Sequence, residues 1–271
     1  MDYIYSIFFG GIQGLTEFLP ISSSGHLVIL HKVLNFRLEN DLSYDVILHA
    51  GTLAALLILF SKDIITYLVA FFKSLVKWNL KNDENQRLAW LILVAAIPAG
   101  IFGYLLEDKA ESLFRSPYLV AAMFILVGLF FLILEKYSQK TKELKEMGLK
   151  GAIVIGLAQV FALIPGVSRS GITIIAGLSQ QLKREAAARF SFLLSIPVIL
   201  GAVVKRVAEL FSHPFASHEL IIYLLGFLAA AFSGYWAVKF LLNYLKTHSL
   251  NIFAYYRFGL AVLVIIYFFL V

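Results

Sequence analysis

Long apolar runs alternate with short charged ones along the chain, at the spacing of membrane-crossing helices. Charge-free spans near the 20 residues a crossing needs occupy 88 to 106, 116 to 134 and 220 to 238. Shorter ones, extendable through their flanks, occupy 46 to 61, 190 to 204 and 258 to 271, which predicts six crossings. Two further apolar stretches, roughly 3 to 36 and 151 to 181, are broken near their middle by proline, glycine and serine, and each half is shorter than a crossing. Irregular backbone at membrane depth survives only where protein or a wet cavity covers it. The breaks therefore predict two re-entrant helix-loop-helix hairpins, with two proline-kinked spanning helices as the alternative. The segment Ile64 to Trp78, apolar with Lys73 and Lys77 near its end, predicts a membrane-surface helix in preference to an extra crossing.

The breaks are also where polar chemistry enters. The first reads Glu17-Phe18-Leu19-Pro20-Ile21-Ser22-Ser23-Ser24-Gly25-His26, between the uncharged stretch Tyr3 to Thr16 and the apolar Leu27-Val28-Ile29-Leu30. The second reads Pro165-Gly166-Val167-Ser168-Arg169-Ser170-Gly171-Ile172-Thr173, with 18 uncharged residues before Arg169 and 13 after it. Ionisable groups inside a membrane are expensive, so each run marks a functional site. A shift of 146 residues superposes Gly10 on Gly156, Gln13 on Gln159, Ser22 on Ser168, Ser24 on Ser170 and Gly25 on Gly171, and three apolar segments follow each run. A duplicated unit with an odd number of crossings lies in the membrane in opposite orientations, bringing its broken segments together near the midplane. The fold class expected is an all-α polytopic membrane protein with an inverted-topology repeat. Residues 1–271 form one membrane domain, with repeat 1 at about 1–137 and repeat 2 at about 148–271.

Composition agrees, since 271 residues at 60% hydrophobic, 15% charged and mean hydropathy +0.84 exclude a water-soluble globule. Asp2 and the lack of a basic region ahead of the first apolar run speak against a cleavable leader. With no cysteine there are no disulfides and no thiolate metal sites. Lysines and arginines cluster after the first and third crossings, from Lys62 to Arg87 and from Lys136 to Lys150, which places both connections in the cytoplasm. The connection 107 to 115, with Glu107, Asp108 and Glu111, then lies outside, as do both termini. Lys205 and Arg206 run against this rule.

Arg169 needs an anionic partner, and its planar fork fits phosphate oxygens bidentately. Ser168, Ser170 and Thr173, with the backbone N–H groups opening the next helix, would complete an anion site. A structural ion pair between Arg169 and Glu17 is compatible with that role. Glu17 suits a hard divalent cation, acid-base work or the orientation of His26. Gln13 lies four residues earlier on the same helix face. Ser23 and His26 are the nucleophile candidates, with His26 also a base for a serine. His31 and His49 read as interfacial residues.

The runs Gln13 to His26 and Pro165 to Thr173, with Arg189-Phe190-Ser191-Phe192-Leu193-Leu194, resemble the signature motifs of the undecaprenyl-diphosphatases, also called bacitracin resistance proteins. The resemblance covers essentially the whole chain. It implies an integral membrane phosphatase that removes the terminal phosphate of undecaprenyl diphosphate and recycles the lipid carrier for cell-wall synthesis, working in the cytoplasmic membrane with its site facing outward. It implies Glu17, Ser23, His26 and Arg169 as catalytic residues, with Gln13, Ser22, Ser24, Ser168, Arg169, Ser170 and Thr173 on the substrate. Mg²⁺ or Ca²⁺ at Glu17 is the implied cofactor, and the partners are a polyprenyl diphosphate and the membrane, without nucleic acid and with room for a homodimer. Gln13 stands where other members often have glutamate, which counts against a mechanism with two carboxylates on a metal. A weaker likeness to type 2 phosphatidic-acid phosphatases fails because no histidine follows Arg169 until His213. The competing function is a transporter or flippase of a polyprenyl phosphate, which needs an anion site but no nucleophile.

Overall fold

A computed structural model describes residues 2–34, 41–113, 116–210 and 217–270. Its helices are α1 (Asp2–Phe18), α2 (Ser23–Leu34), α3 (Asp41–Leu59), α4 (Ser61–Val76), α5 (Glu84–Leu113), α6 (Pro117–Tyr137), α7 (Leu149–Val160), α8 (Arg169–Ser179), α9 (Arg184–Leu210), α10 (Ser217–Tyr244) and α11 (Asn251–Leu270). Among the described residues extended pairing is limited to one bridge, between Lys142 and Leu182. The chain is thus an all-α polytopic membrane protein.

Five helices, α5, α6, α9, α10 and α11, contain apolar spans of 20 to 26 residues, long enough to cross alone. The sixth expected crossing is α3, which breaks at Phe60 and meets α4 at 81°. The two pass as an apolar span only when taken together, as one broken span or a re-entrant loop, and α4 exposes Ile65, Leu68, Val69 and Phe72. Two boundaries differ from those expected. Helix α5 runs on to Leu113, so Glu107, Asp108 and Glu111 belong to a helical extension instead of a loop, because glutamate, lysine, alanine and leucine are strong helix formers where water replaces lipid. Residues 114 and 115 lie outside the described residues, as do 35 and 36 of the first hairpin and His213. Helix α11 begins at Asn251 and carries Arg257 inside it, where a charge-free window started only after that residue.

The two broken segments are helical pairs, α1 with α2 and α7 with α8, and the members of each pair pack on one another. Each second helix starts at a serine of positive φ, 74° at Ser22 and 73° at Ser168. The serine hydroxyl accepts the N–H three residues on, from Gly25 at 3.3 Å and from Gly171 at 3.1 Å. Such a cap satisfies a donor the first turn leaves free. The first helix of each pair packs on a long apolar helix, α1 on α10 and α7 on α5. Both contacts need glycine. A Cβ on Gly10 would stand 2.3 Å from the Gly226 carbonyl oxygen, and one on Gly156 would stand 2.5 Å from that of Ala95. Small residues allow this approach where lipid removes the hydrophobic drive between helices. The main core surrounds α8, where Ile174 and Leu178 are fully buried with Phe131, Phe190 and Leu194.

Candidate active site

The tips of the two hairpins meet. Ser170, at the start of α8, donates its hydroxyl to the Glu17 carbonyl at 3.1 Å and the Leu19 carbonyl at 3.3 Å. Beside this clasp the Glu17 carboxylate, 6% exposed, collects the site. Its Oε1 accepts from Arg169 Nη2 at 2.6 Å. Its Oε2 accepts from Ser23 Oγ at 2.5 Å and Gln13 Nε2 at 2.9 Å. The other nitrogen of the Arg169 fork reaches the Ser195 carbonyl at 3.4 Å. An ionised carboxylate only accepts, so it is matched to three donors and aligned to take the Ser23 proton. The ion pair between Arg169 and Glu17 is present, and the guanidinium's planar fork suits phosphate oxygens.

His26 is not the partner of Ser23. Its Nδ1 lies 2.6 Å from the Ser22 carbonyl, which can only accept, so Nδ1 carries the hydrogen. Its Nε2 lies 2.8 Å from the Tyr256 hydroxyl, and the two rings stack at 12°. Both ring nitrogens are thereby taken, and Ser23 Oγ turns the other way, to Glu17. Thr173 likewise points elsewhere, bonding the Arg169 carbonyl at 2.8 Å and the Ser191 hydroxyl at 2.6 Å. Ser168 and Ser170 hydroxyls lie 3.2 Å apart, and Ser22 and Ser24 hydroxyls 3.3 Å apart. The first of each pair is an N-cap, and Ser170 is committed to the clasp, so Ser24 has the least occupied hydroxyl of the four.

Two contributors escaped the sequence patterns. His49 of α3, taken for an interfacial residue, places Nε2 3.6 Å from Glu17 Oε2 while Nδ1 donates to the Asp45 carbonyl at 2.7 Å. The only signal was its place in an apolar helix after the first motif. Arg257 of α11 is fully buried behind both tips. Hard cations require about six or more oxygen ligands, some of which can be water. Glu17 is one carboxylate already shared among Arg169, Ser23 and Gln13, and no group of three His, Cys, Asp or Glu side chains gathers among the described residues. These donors do not fit a resident cation. A basic cleft between Lys140, Lys183, Arg184 and Lys246 lies apart from the tips. Lys183 and Arg184 there are already paired with Glu143 and Glu135.

Together these features define a polytopic membrane protein whose serine, carboxylate and arginine converge where two broken hairpins meet. The chain belongs to the family described as bacitracin resistance protein BacA, whose model matches residues 6–263. It is 44% identical over 267 residues to the undecaprenyl-diphosphatase of Rubrobacter xylanophilus, covering 97% of both chains. It is 42% identical over 264 residues to that of Methanobrevibacter smithii, covering 94% of both. It is also 42% identical over 271 residues to that of Caldicellulosiruptor bescii, covering 100% of this chain and 99% of the relative.

Proposed function

We propose that this chain is a membrane phosphatase that hydrolyses undecaprenyl diphosphate to undecaprenyl phosphate and inorganic phosphate. The observation that carries the proposal is the Ser23 hydroxyl donating to Glu17, whose other oxygen holds Arg169. A carrier needs the arginine but has no use for a hydroxyl held on a base. The relatives' shared name supplies the substrate.

Ser23 Oγ attacks the terminal phosphorus and its proton passes to Glu17 Oε2. The bond from that phosphorus to the bridging oxygen breaks, and undecaprenyl phosphate leaves with the electron pair. Glu17 gives that proton to the departing lipid phosphate. Water then attacks the phosphoserine phosphorus and passes a proton to the restored carboxylate. The bond from phosphorus to Ser23 Oγ breaks, Glu17 returns the proton to Oγ, and inorganic phosphate departs. Arg169 turns its fork from Glu17 toward the phosphoryl oxygens as charge builds there. By the positive-inside pattern the site opens to the outer face of the cytoplasmic membrane.

Purified protein in detergent is expected to release phosphate from a polyprenyl diphosphate with no gradient and no second compartment. Ser23→Ala should bind the lipid and release almost none. Wild-type protein that moves the lipid across liposomes but frees no phosphate would establish the carrier instead. A divalent cation used in turnover would be held chiefly by the diphosphate oxygens, since Glu17 alone does not supply a hard cation's ligands. Chelator should then stop turnover, and Mg²⁺ or Ca²⁺ should restore it, while lipid-free protein binds no Ca²⁺ in equilibrium dialysis. A lipid-independent Ca²⁺ site abolished by Glu17→Gln would overturn this.

A further inference from the structure

Arg257 has 0% exposure, the largest of the fully buried side chains, yet every hydrogen-bond partner of its guanidinium is a backbone carbonyl. Nε donates to Phe124 O at 3.2 Å and Nη1 to Pro20 O at 3.2 Å. Nη2 donates to Gly166 O at 2.6 Å, with Met123 O at 3.2 Å and Val167 O at 3.3 Å also in reach. The guanidinium also lies 5.3 Å over the Phe124 ring. Burying a charge without a counter-ion is costly, and an apolar residue of similar volume is often as stable or more so.

The partners supply the reason. Pro20 belongs to the first tip, and Gly166 and Val167 to the second. Carbonyls in such breaks have no helical donor, and at membrane depth no bulk water replaces it. Five N–H groups in one rigid plane can serve both tips at once. An ammonium, with three donors around a point, cannot span them. The neighbouring Tyr256 holds His26, so consecutive residues of α11 fasten both motifs.

We propose that Arg257 is a positioning residue that locks the two hairpin tips in the register that sets Arg169 against Glu17. The inference rests on the phosphatase reading for its kinetic test but not for its structural one. In Arg257→Lys, amide exchange should rise at least tenfold in both 19–22 and 164–168, while the middle of α6 keeps its protection. A rise at one tip only, or throughout the protein, overturns the proposal. In the phosphatase assay kcat should fall at least tenfold with KM within threefold. Added to Arg169→Lys, the same substitution should change the residual rate less than threefold, because it acts through a contact already lost. Full additivity, or a single variant within twofold of wild type, also overturns it. If Arg257→Lys does not fold, Phe124→Leu removes the ring beneath the guanidinium. That ring also packs on His26 and Gly25, so exchange at the second tip, 164–168, is the reading that bears on Arg257. The variant should raise exchange at both tips by a smaller factor, and unchanged exchange at 164–168 would overturn the proposal. Wild-type protein that releases no phosphate would end the phosphatase reading and leave the exchange test standing.

Discussion

In both hairpins a serine with φ near 73° caps the second helix and a glycine three residues later donates to its hydroxyl. Above this shared backbone the side chains diverge. Where the first hairpin carries Glu17, Ser23 and His26, the positions 146 residues on are Leu163, Arg169 and Ile172. The difference follows from the meeting of the tips. Two tips that each carried only a carboxylate, or only a guanidinium, would set like charges together, and at low dielectric these repel strongly. Here a single ion pair, Arg169 with Glu17, spans the junction, and the two tips differ in the side chains that make it. In the proposed mechanism neither hairpin is competent alone, because the base and hydroxyl come from the first and the phosphate-binding fork from the second.

The largest expected effects come from the residues that break the symmetry. Glu17→Gln keeps the shape and a hydrogen-bonding group but removes the base, so kcat should fall by about 10² to 10⁴. Arg169→Lys keeps the charge but loses the planar fork, and should lower kcat by about 10² to 10³. Both should leave expression and elution volume near those of wild type, because the tips are also held by the Ser170 clasp. Phosphate release under saturating lipid measures each effect. A lysine variant close to wild-type turnover would make Arg169 a structural counter-ion of Glu17 and nothing more.

Much of this asymmetry was legible in the sequence. Glu17, Ser23 and Arg169 stood out because charge and hydroxyls interrupt apolar runs, and the offset of 146 paired the two interruptions before any fold was known. What the pattern could not convey was which neighbour each side chain meets. Ser23 and His26 are three residues apart, a spacing that favours contact within a helix. Ser23 instead opens α2 and reaches back to Glu17, while His26 is drawn to α11 by Tyr256. Arg257 fell just outside the charge-free span 258 to 271, because a hydropathy window cannot distinguish a guanidinium at the lipid boundary from one buried against carbonyls. His49 was invisible for a related reason, since its contact with Glu17 depends on how α3 packs beside α1.

The smallest expected effect tests the shared part of the comparison, the two capping serines. Ser22→Ala and Ser168→Ala each remove a side-chain acceptor from a helix N-terminus, a loss of about 1 kcal/mol. For a chain of this size that lowers the melting temperature by about 2 to 4 °C. Alanine keeps the Cβ that positive φ disfavours, so the backbone cost stays. Glycine at either position forfeits the same hydroxyl but accepts positive φ freely, and as a cap it trails serine by only a few tenths of a kcal/mol. Both glycine variants should therefore melt above the matching alanine variants, and by similar margins at 22 and 168. Turnover should change little at either site, because the Ser22 carbonyl that holds His26 survives each substitution. Thermal unfolding in detergent of the four variants is the measurement. If glycine ranked above alanine at one serine and below it at the other, the two breaks would not be copies of one backbone device, and their likeness would be confined to sequence.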